Sequence, residues 1–337
     1  MNSKQRFLAA ILGQPVDRIP VGSPTSVATI EQMKLTGTSF PSAHLDGELM
    51  ARLAAGAIDI LGFDCAMPYF SVQAEAAALG CEVDWGDSQN MPVEHSHPWS
   101  EPEQVRIPAD FLERPPTSAV LQAIRILQRD YGERAAIVGK VMGPWTLAYH
   151  LHGVQDFLME TLLDPDKVHR FLDRLIEVTV LFATAQIEAG ADVICVADHA
   201  TGDLVSPRMY RDLLLPYHCQ LAERLKVPLV LHICGNTLDR IGYIATSGFH
   251  GFHFDSKVEA EKAVEAVKHA TSTGGRLTLL GNVNNPQVLL NGTPADVYAQ
   301  ARRAIQVGVA VVGPECALPL LTPLENLHAI RRAAEQE

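Results

Sequence analysis

The chain has 337 residues, 47% hydrophobic and 20% charged, the composition of an ordinary globular protein long enough for one large or two medium domains. Lys and Arg number 27 against 39 Asp and Glu, a formal net charge of −12, which argues against a phosphate-tracking surface and a nucleic-acid partner. Six scattered cysteines read as reduced thiols rather than a disulfide framework, and no uncharged run reaches the roughly 18 residues of a membrane span, so a cytoplasmic protein is expected.

In chain order, residues 3 to 12 predict a short helix, and Pro15-Val16-Asp17-Arg18 a turn into a first buried strand, Ile19-Pro20-Val21-Gly22. Helical segments near 28 to 36 and 47 to 58 lead to the second strand, Gly62 to Met67. The stretch from 70 to 116 is the least regular: an Ala-rich helix with Glu75, then Cys81 to Trp85, then polar, Pro-rich sequence with His95 and His97. A segment of that length predicts a lid or inserted hairpin near an active site. From residue 117 a rhythm of amphipathic helix, turn and apolar run sets in. A helix near 117 to 131 precedes the third strand, Ala135 to Gly143, and Asp164-Pro165 caps a long helix that ends near Gly190. The fourth strand runs from Asp192 to His199. Ser206-Pro207 opens a helix, Pro228 introduces the fifth strand with His232 and Cys234, and a helix follows from about 237. The sixth strand is Phe249 to Asp255, and the seventh, Leu277 to Asn284, follows a helix near 258 to 270. Thr293-Pro294-Ala295-Asp296 starts a helix to about 307, the eighth strand leads to Cys316, and Thr322-Pro323-Leu324-Glu325 is expected to cap the last helix in the same way.

Eight short apolar strands alternating with helices predict a single (β/α)₈ TIM barrel over 1–337, with an N-terminal helical extension and 70–116 inserted after strand two. Polar residues collect where strands end, the face that carries active sites in this architecture. They include Asp198, His199, His232, Cys234, Asn236, Asp255, Asn282, Asn284, Glu315 and Cys316.

A strand carries alternate side chains to one face, so His232 and Cys234 point the same way, and Cys316 ends a similar apolar run. In a closed barrel both strand ends line one mouth. His plus two Cys with an open fourth position is a catalytic zinc set, and a packed histidine beside inert thiols is the plainer alternative. Zinc so held takes an incoming thiol and lowers its pKa, which suits alkyl transfer to sulfur. Asp198, Asp255 and Glu315 are candidate catalytic groups: a displaceable fourth ligand, or partners that orient His232. Each could equally serve as a helix cap or a solvated loop carboxylate. His199, Asn236, Asn282 and Asn284 are candidate substrate contacts, whereas His150, His152, His218 and His253 read as structural or surface residues.

With these elements in view, the chain resembles the uroporphyrinogen decarboxylase superfamily and, within it, the methylcobamide:coenzyme M methyltransferases. The resemblance runs nearly end to end. It rests on Pro15-Val16-Asp17-Arg18-Ile19-Pro20-Val21, on Glu75 to Val83, on Glu188 to Ile194, on Leu231-His232-Ile233-Cys234-Gly235-Asn236 and on Thr322 to Asn326. It implies zinc bound by His232, Cys234 and Cys316, and methyl transfer from a methylcobamide on a corrinoid protein to coenzyme M, a step of one-carbon metabolism. Tetrahydrofolate, the acceptor of related enzymes, is the alternative. Two departures touch the acceptor pocket: Glu315 stands where that family tends to have a small residue, and Asp255-Ser256 where it tends to have paired Glu. A uroporphyrinogen-type decarboxylase is the rival enzyme, but residues 18 to 29 offer only Arg18 to hold a polycarboxylate. A non-catalytic module that binds zinc or a corrinoid protein is the third reading, with Asp255 or Glu315 closing the metal site.

Overall fold

The computed structural model describes residues 1–272 and 276–336. Among these residues nine strands are formed: β1 (Cys65–Ala66), β2 (Val83–Asp84), β3 (Val93–Glu94), β4 (Ala136–Met142), β5 (Val193–Ala197), β6 (Leu229–Ile233), β7 (Gly251–Phe254), β8 (Thr278–Val283) and β9 (Val311–Pro314). Seven pair in parallel in the order β1-β4-β5-β6-β7-β8-β9. Their sequences are near-continuous apolar runs because helices cover the outer face and side chains fill the inner one. The eighth staves the gap between β9 and β1 with the segment around Val21. Val21 bridges Val312 in parallel, Val312 N donates to Pro20 O at 3.0 Å, and Asp64 N donates to Val21 O at 2.7 Å on the other side. Gly313 permits this approach, since a Cβ there would lie 2.0 Å from Gly22 O. The result is a closed (β/α)₈ barrel, with the helix Ser3–Ile11 ahead of the first strand.

The closure is clasped by charge. Asp64 is fully buried and accepts from Arg6 at 2.9 Å, from both Arg18 terminal nitrogens at 3.0 Å, and from Val21 N at 2.8 Å. Arg18 is therefore part of the frame.

Three helix starts follow local chemistry. Asp164 caps Pro165–Glu188 by accepting from Lys167 N at 3.0 Å, and Thr293 with Asp296 forms a reciprocal capping box for Pro294–Val307. The last helix, Leu324–Glu335, differs from expectation: Thr322 Oγ1 has no hydrogen-bond partner among the described residues, and Glu31 from a distant helix takes Leu324 N at 3.1 Å. The helix expected from Ser206 is also interrupted. Pro207–Met209 passes through a π-type turn at Tyr210–Leu214 before Leu215–Arg224, and Pro216 has no N–H for the carbonyl one turn back. After β6 the chain forms only two short turns, Leu238–Arg240 and Ile241–Ile244.

Between residues 70 and 116, β2 and β3 form an antiparallel hairpin with Val83 opposite Glu94. Trp99 N donates to Leu151 O at 3.0 Å and ties this stretch to the helix Pro144–His152 that follows β4.

Candidate metal centre

β6 ends one residue beyond His232, so Cys234 stands just outside the strand on the same side. Gly235, with φ of 83°, then turns the chain away, and a side chain there would collide with Thr201 Oγ1 at 2.2 Å. β9 ends at Pro314 and places Cys316 two residues past its last member. Although β6 and β9 are separated by two strands, barrel curvature brings their ends together. His232 Nε2 lies 3.1 Å from Cys234 Sγ and 3.4 Å from Cys316 Sγ, and the two sulfurs are 3.1 Å apart. Each of the three contributes one donor atom, all within 4.8 Å of one another.

The proton positions favour a ligand set. His253 lies opposite His232 on β7 and is fully buried. Its Nε2 donates to Pro314 O at 2.8 Å, and burial pushes its pKa down to about 3, so the ring is neutral and its Nδ1 carries a lone pair. That lone pair faces His232 Nδ1 at 2.8 Å, and His253 O is a second acceptor at 3.2 Å. His232 therefore carries its proton on Nδ1 and turns an unprotonated Nε2 towards the sulfurs. A second group that accepts the other N–H is the usual companion of a metal-binding histidine. Between the thiols, the S–H of Cys234 is donated to Cys316, which holds Cys316 well below the ordinary thiol range and raises Cys234. A nitrogen lone pair and two close sulfurs, one of them made more acidic by the other, are a soft donor set that fits zinc.

The carboxylates at the strand ends do different work. Asp255 accepts from Gly235 N and Lys257 N, each at 2.8 Å, and so pins the loop that carries Cys234. Glu315 is nearly buried; its two oxygens accept from Asn285 N at 2.7 Å and Ser256 N at 2.8 Å, stapling the loops after β8 and β7. Asp198 turns away from the sulfurs and is held by Thr146 N at 2.8 Å, Thr146 Oγ1 at 3.0 Å and His218 Nε2 at 3.0 Å. Of the amides, Asn282 donates to Val258 O at 3.0 Å, Asn284 caps Gln287 N at 2.7 Å and donates to Ser256 Oγ at 2.8 Å, and Asn236 is exposed. His199 lines the cavity beside His232, and burial pushes its pKa down to about 4.

That cavity has a volume of about 140 Å³ and is bounded by Thr25, Phe70, Ser71, Lys140, His199, His232 and Cys316, with Met91 and Pro92 of the hairpin region at one side. A larger groove of about 720 Å³ lies on the outer helical layer among Glu48, Arg52, Gln122 and Tyr131, away from the strand ends. Sequence reading did not single out Lys140 or the Asp198–His218 pair, and it gave His253 only a structural or surface role. A lysine inside the apolar run of β4 was the visible signal for the first. Nothing in the spacing of the histidines pointed to their partners.

The uroporphyrinogen decarboxylase (URO-D) family profile matches residues 2–337. The chain belongs to that family. Over 337 residues it is 34% identical to the methylated-thiol–coenzyme M methyltransferase of Methanosarcina mazei, covering 100% of this chain and 90% of the relative. It is 33% identical to the methylcobamide:CoM methyltransferase MtaA of Methanosarcina barkeri, covering 99% and 97%. A solved methyltransferase from Methanosarcina mazei superposes with a TM-score of 0.94 at 34% identity, covering 99% of this chain and 98% of that one.

Proposed function

We propose that this family member is a zinc-dependent methyltransferase that moves a methyl group from a methylated corrinoid, carried by a partner protein, to a small thiol of the coenzyme M type. The observation that carries the reading is the open ligand set. His232 Nε2, Cys234 Sγ and Cys316 Sγ converge beside a cavity, while Asp255 and Glu315, the groups that could close a fourth position, are occupied by backbone amides. The relatives' names support it: that of MtaA carries both a methylcobamide donor and CoM, and that of the methylated-thiol–coenzyme M methyltransferase carries the same acceptor.

Zinc held there supplies a lowered pKa to a coordinated thiol. The protein's own groups set the stage for that. His253 keeps the His232 lone pair aimed inward, Asp255 and Glu315 hold the loops that carry the ligands, and the cavity walls limit the acceptor to a small molecule. In the reaction a sulfur lone pair forms the new C–S bond as the Co–C bond breaks. The Co–C electron pair stays with cobalt, taking Co(III) to Co(I), and the thiol proton leaves to solvent.

A corrinoid brought by a protein needs a face to dock on. Of the twelve large apolar side chains exposed among the described residues, Met91 bounds the cavity of the metal centre and gives that mouth an apolar rim. Free cysteines throughout support a cytoplasmic setting, and among the described residues no helix is long and apolar enough to cross a membrane. The decarboxylase reading loses its one cation near the first strand, since Arg18 is engaged by Asp64.

The test is methyl transfer by zinc-loaded protein from free methylcobalamin, with 2-mercaptoethanesulfonate or tetrahydrofolate as acceptor. The methylated thiol is the expected product. Methylation of the folate alone would replace the acceptor, and methylation of neither would overturn the proposal.

A further inference from the structure

Lys140 lies in the middle of β4 and is almost completely buried. Its backbone is locked from outside the barrel, where Gln186 Oε1 accepts from Lys140 N at 2.9 Å and Gln186 Nε2 donates to Lys140 O at 2.8 Å. The side chain points inward. In register, Lys140 pairs with Cys195, which pairs with Val230, two residues before His232, so its Cα sits about 7 Å deeper than the ligand level. Its Nζ donates to Ser71 O at 2.9 Å and lies 4.6 Å from the centre of the Tyr69 ring. Both partners are neutral. Glu75, the buried carboxylate whose charge reaches Lys140, is itself engaged by Tyr69 OH and Met142 N, and Lys140 forms no ion pair among the described residues.

A buried ammonium without an adjacent carboxylate is costly unless something else answers its charge. Among the residues bounding the cavity of the metal centre, Lys140 is the one Lys or Arg. His199, on the same wall, is neutral at physiological pH. The opposite side of the cavity, bounded by His232 and Cys316, would be electron-rich with zinc bound, since two thiolates would cancel a divalent ion and an acceptor thiolate would leave the centre negative. An acceptor with a second negative group would be repelled from such a site without a cation at its other end.

We propose that Lys140 determines acceptor specificity: its ammonium binds the anionic end of a short thiol whose sulfur sits at His232, Cys234 and Cys316. This rests on the methyltransferase reading and adds to it the residue of this chain that answers the charge at the acceptor's far end. Burial brings the Lys140 pKa down to about 8, which leaves the amine mostly protonated at neutral pH. Ser71 O and the Tyr69 face position the ammonium without neutralising it, so its charge remains for the ligand.

The experiment compares kcat/KM for 2-mercaptoethanesulfonate with that for uncharged 2-mercaptoethanol, using zinc-loaded protein and methylcobalamin. Wild-type protein is expected to favour the sulfonate by at least tenfold. In Lys140→Met that ratio should collapse at least tenfold, chiefly through a higher KM for the sulfonate, and Lys140→Arg should restore part of it. Zinc content and circular dichroism report whether each variant is folded, and the wild-type ratio tests the inference even where a variant is not. Equal kcat/KM for the two thiols in wild type, or an unchanged ratio in folded Lys140→Met, would overturn the role of Lys140 and leave the methyltransferase reading standing. Wild-type protein that methylates neither thiol would overturn both.

Discussion

The Nδ1 atoms of His232 and His253 lie 2.8 Å apart across adjacent strands, and only one of them can carry the proton. The bond from His253 Nε2 to Pro314 O assigns it to His232. This leaves His232 Nε2 free for a metal and links the ends of β6, β7 and β9 in one chain of hydrogen bonds.

Replacing His253 with Phe keeps an aromatic ring in the core but removes the acceptor. Zinc affinity, measured by chelator competition, should fall 10- to 100-fold, the usual cost of losing such a partner, with the barrel still folded. Unchanged affinity would mean that His253 O alone suffices to orient the ligand.

Cys234→Ala and Cys316→Ala should each lose stoichiometric zinc and methyl transfer. Circular dichroism should remain that of the barrel, because a core of buried strands and helices, not the ion, supplies the folding energy. Full zinc content in both variants, read by elemental analysis, would sink the ligand assignment.

Glu315 accepts two backbone N–H groups with two oxygens, and a glutamine can offer only one oxygen. Glu315→Gln should therefore lose on the order of 1–3 kcal/mol in urea denaturation, the cost of a buried donor left facing another donor. A variant as stable as wild type would show that the loops after β7 and β8 do not depend on the staple.

His44 is buried against Phe40, ring centroids 4.0 Å apart, and burial pushes its pKa down from 6.5 to about 3. The unfolded chain takes up this proton near 6.5 and the folded chain only near 3, so between those values protons favour unfolding. The stability due to neutral His44 is complete above pH 6.5 and is lost as pH falls towards 3. For this residue the loss between pH 6.5 and pH 5 is about 2 kcal/mol. His44→Phe should show a correspondingly shallower decline in denaturation midpoints between pH 7 and pH 5; parallel profiles would refute the assignment.

Periodicity and strand-end chemistry were enough to read the barrel and the convergence of His232, Cys234 and Cys316. A run such as Leu229 to Ile233 is too apolar to be anything but buried, and a side-chain period of two puts His232 and Cys234 on one side whatever surrounds them. Caps carried by neighbours in sequence, at Asp164 and Thr293, were legible for the same reason. The missing cap at Thr322 was not, because its replacement, Glu31, comes from the other end of the chain.

The roles of the carboxylates and of the unassigned histidines belong to the tertiary structure. Glu315 beside a ligand cysteine reads in sequence as charge at the acceptor, but Asn285 and Ser256, from two other loops, turn both its oxygens into backbone acceptors. Asn284 becomes a cap for Gln287 and a donor to Ser256, and His253 becomes the partner of His232 through strand register. Lys140 reads as an anomaly in an apolar strand until Ser71, Tyr69 and the cavity are set around its ammonium. The sequence alone determined which residues are buried and which face they share, since both follow from hydrophobicity and backbone period. Which donor meets which acceptor was decided only by closing the barrel, because a hydrogen bond or a ligand set depends on ångström-scale approach between segments that are distant in the chain.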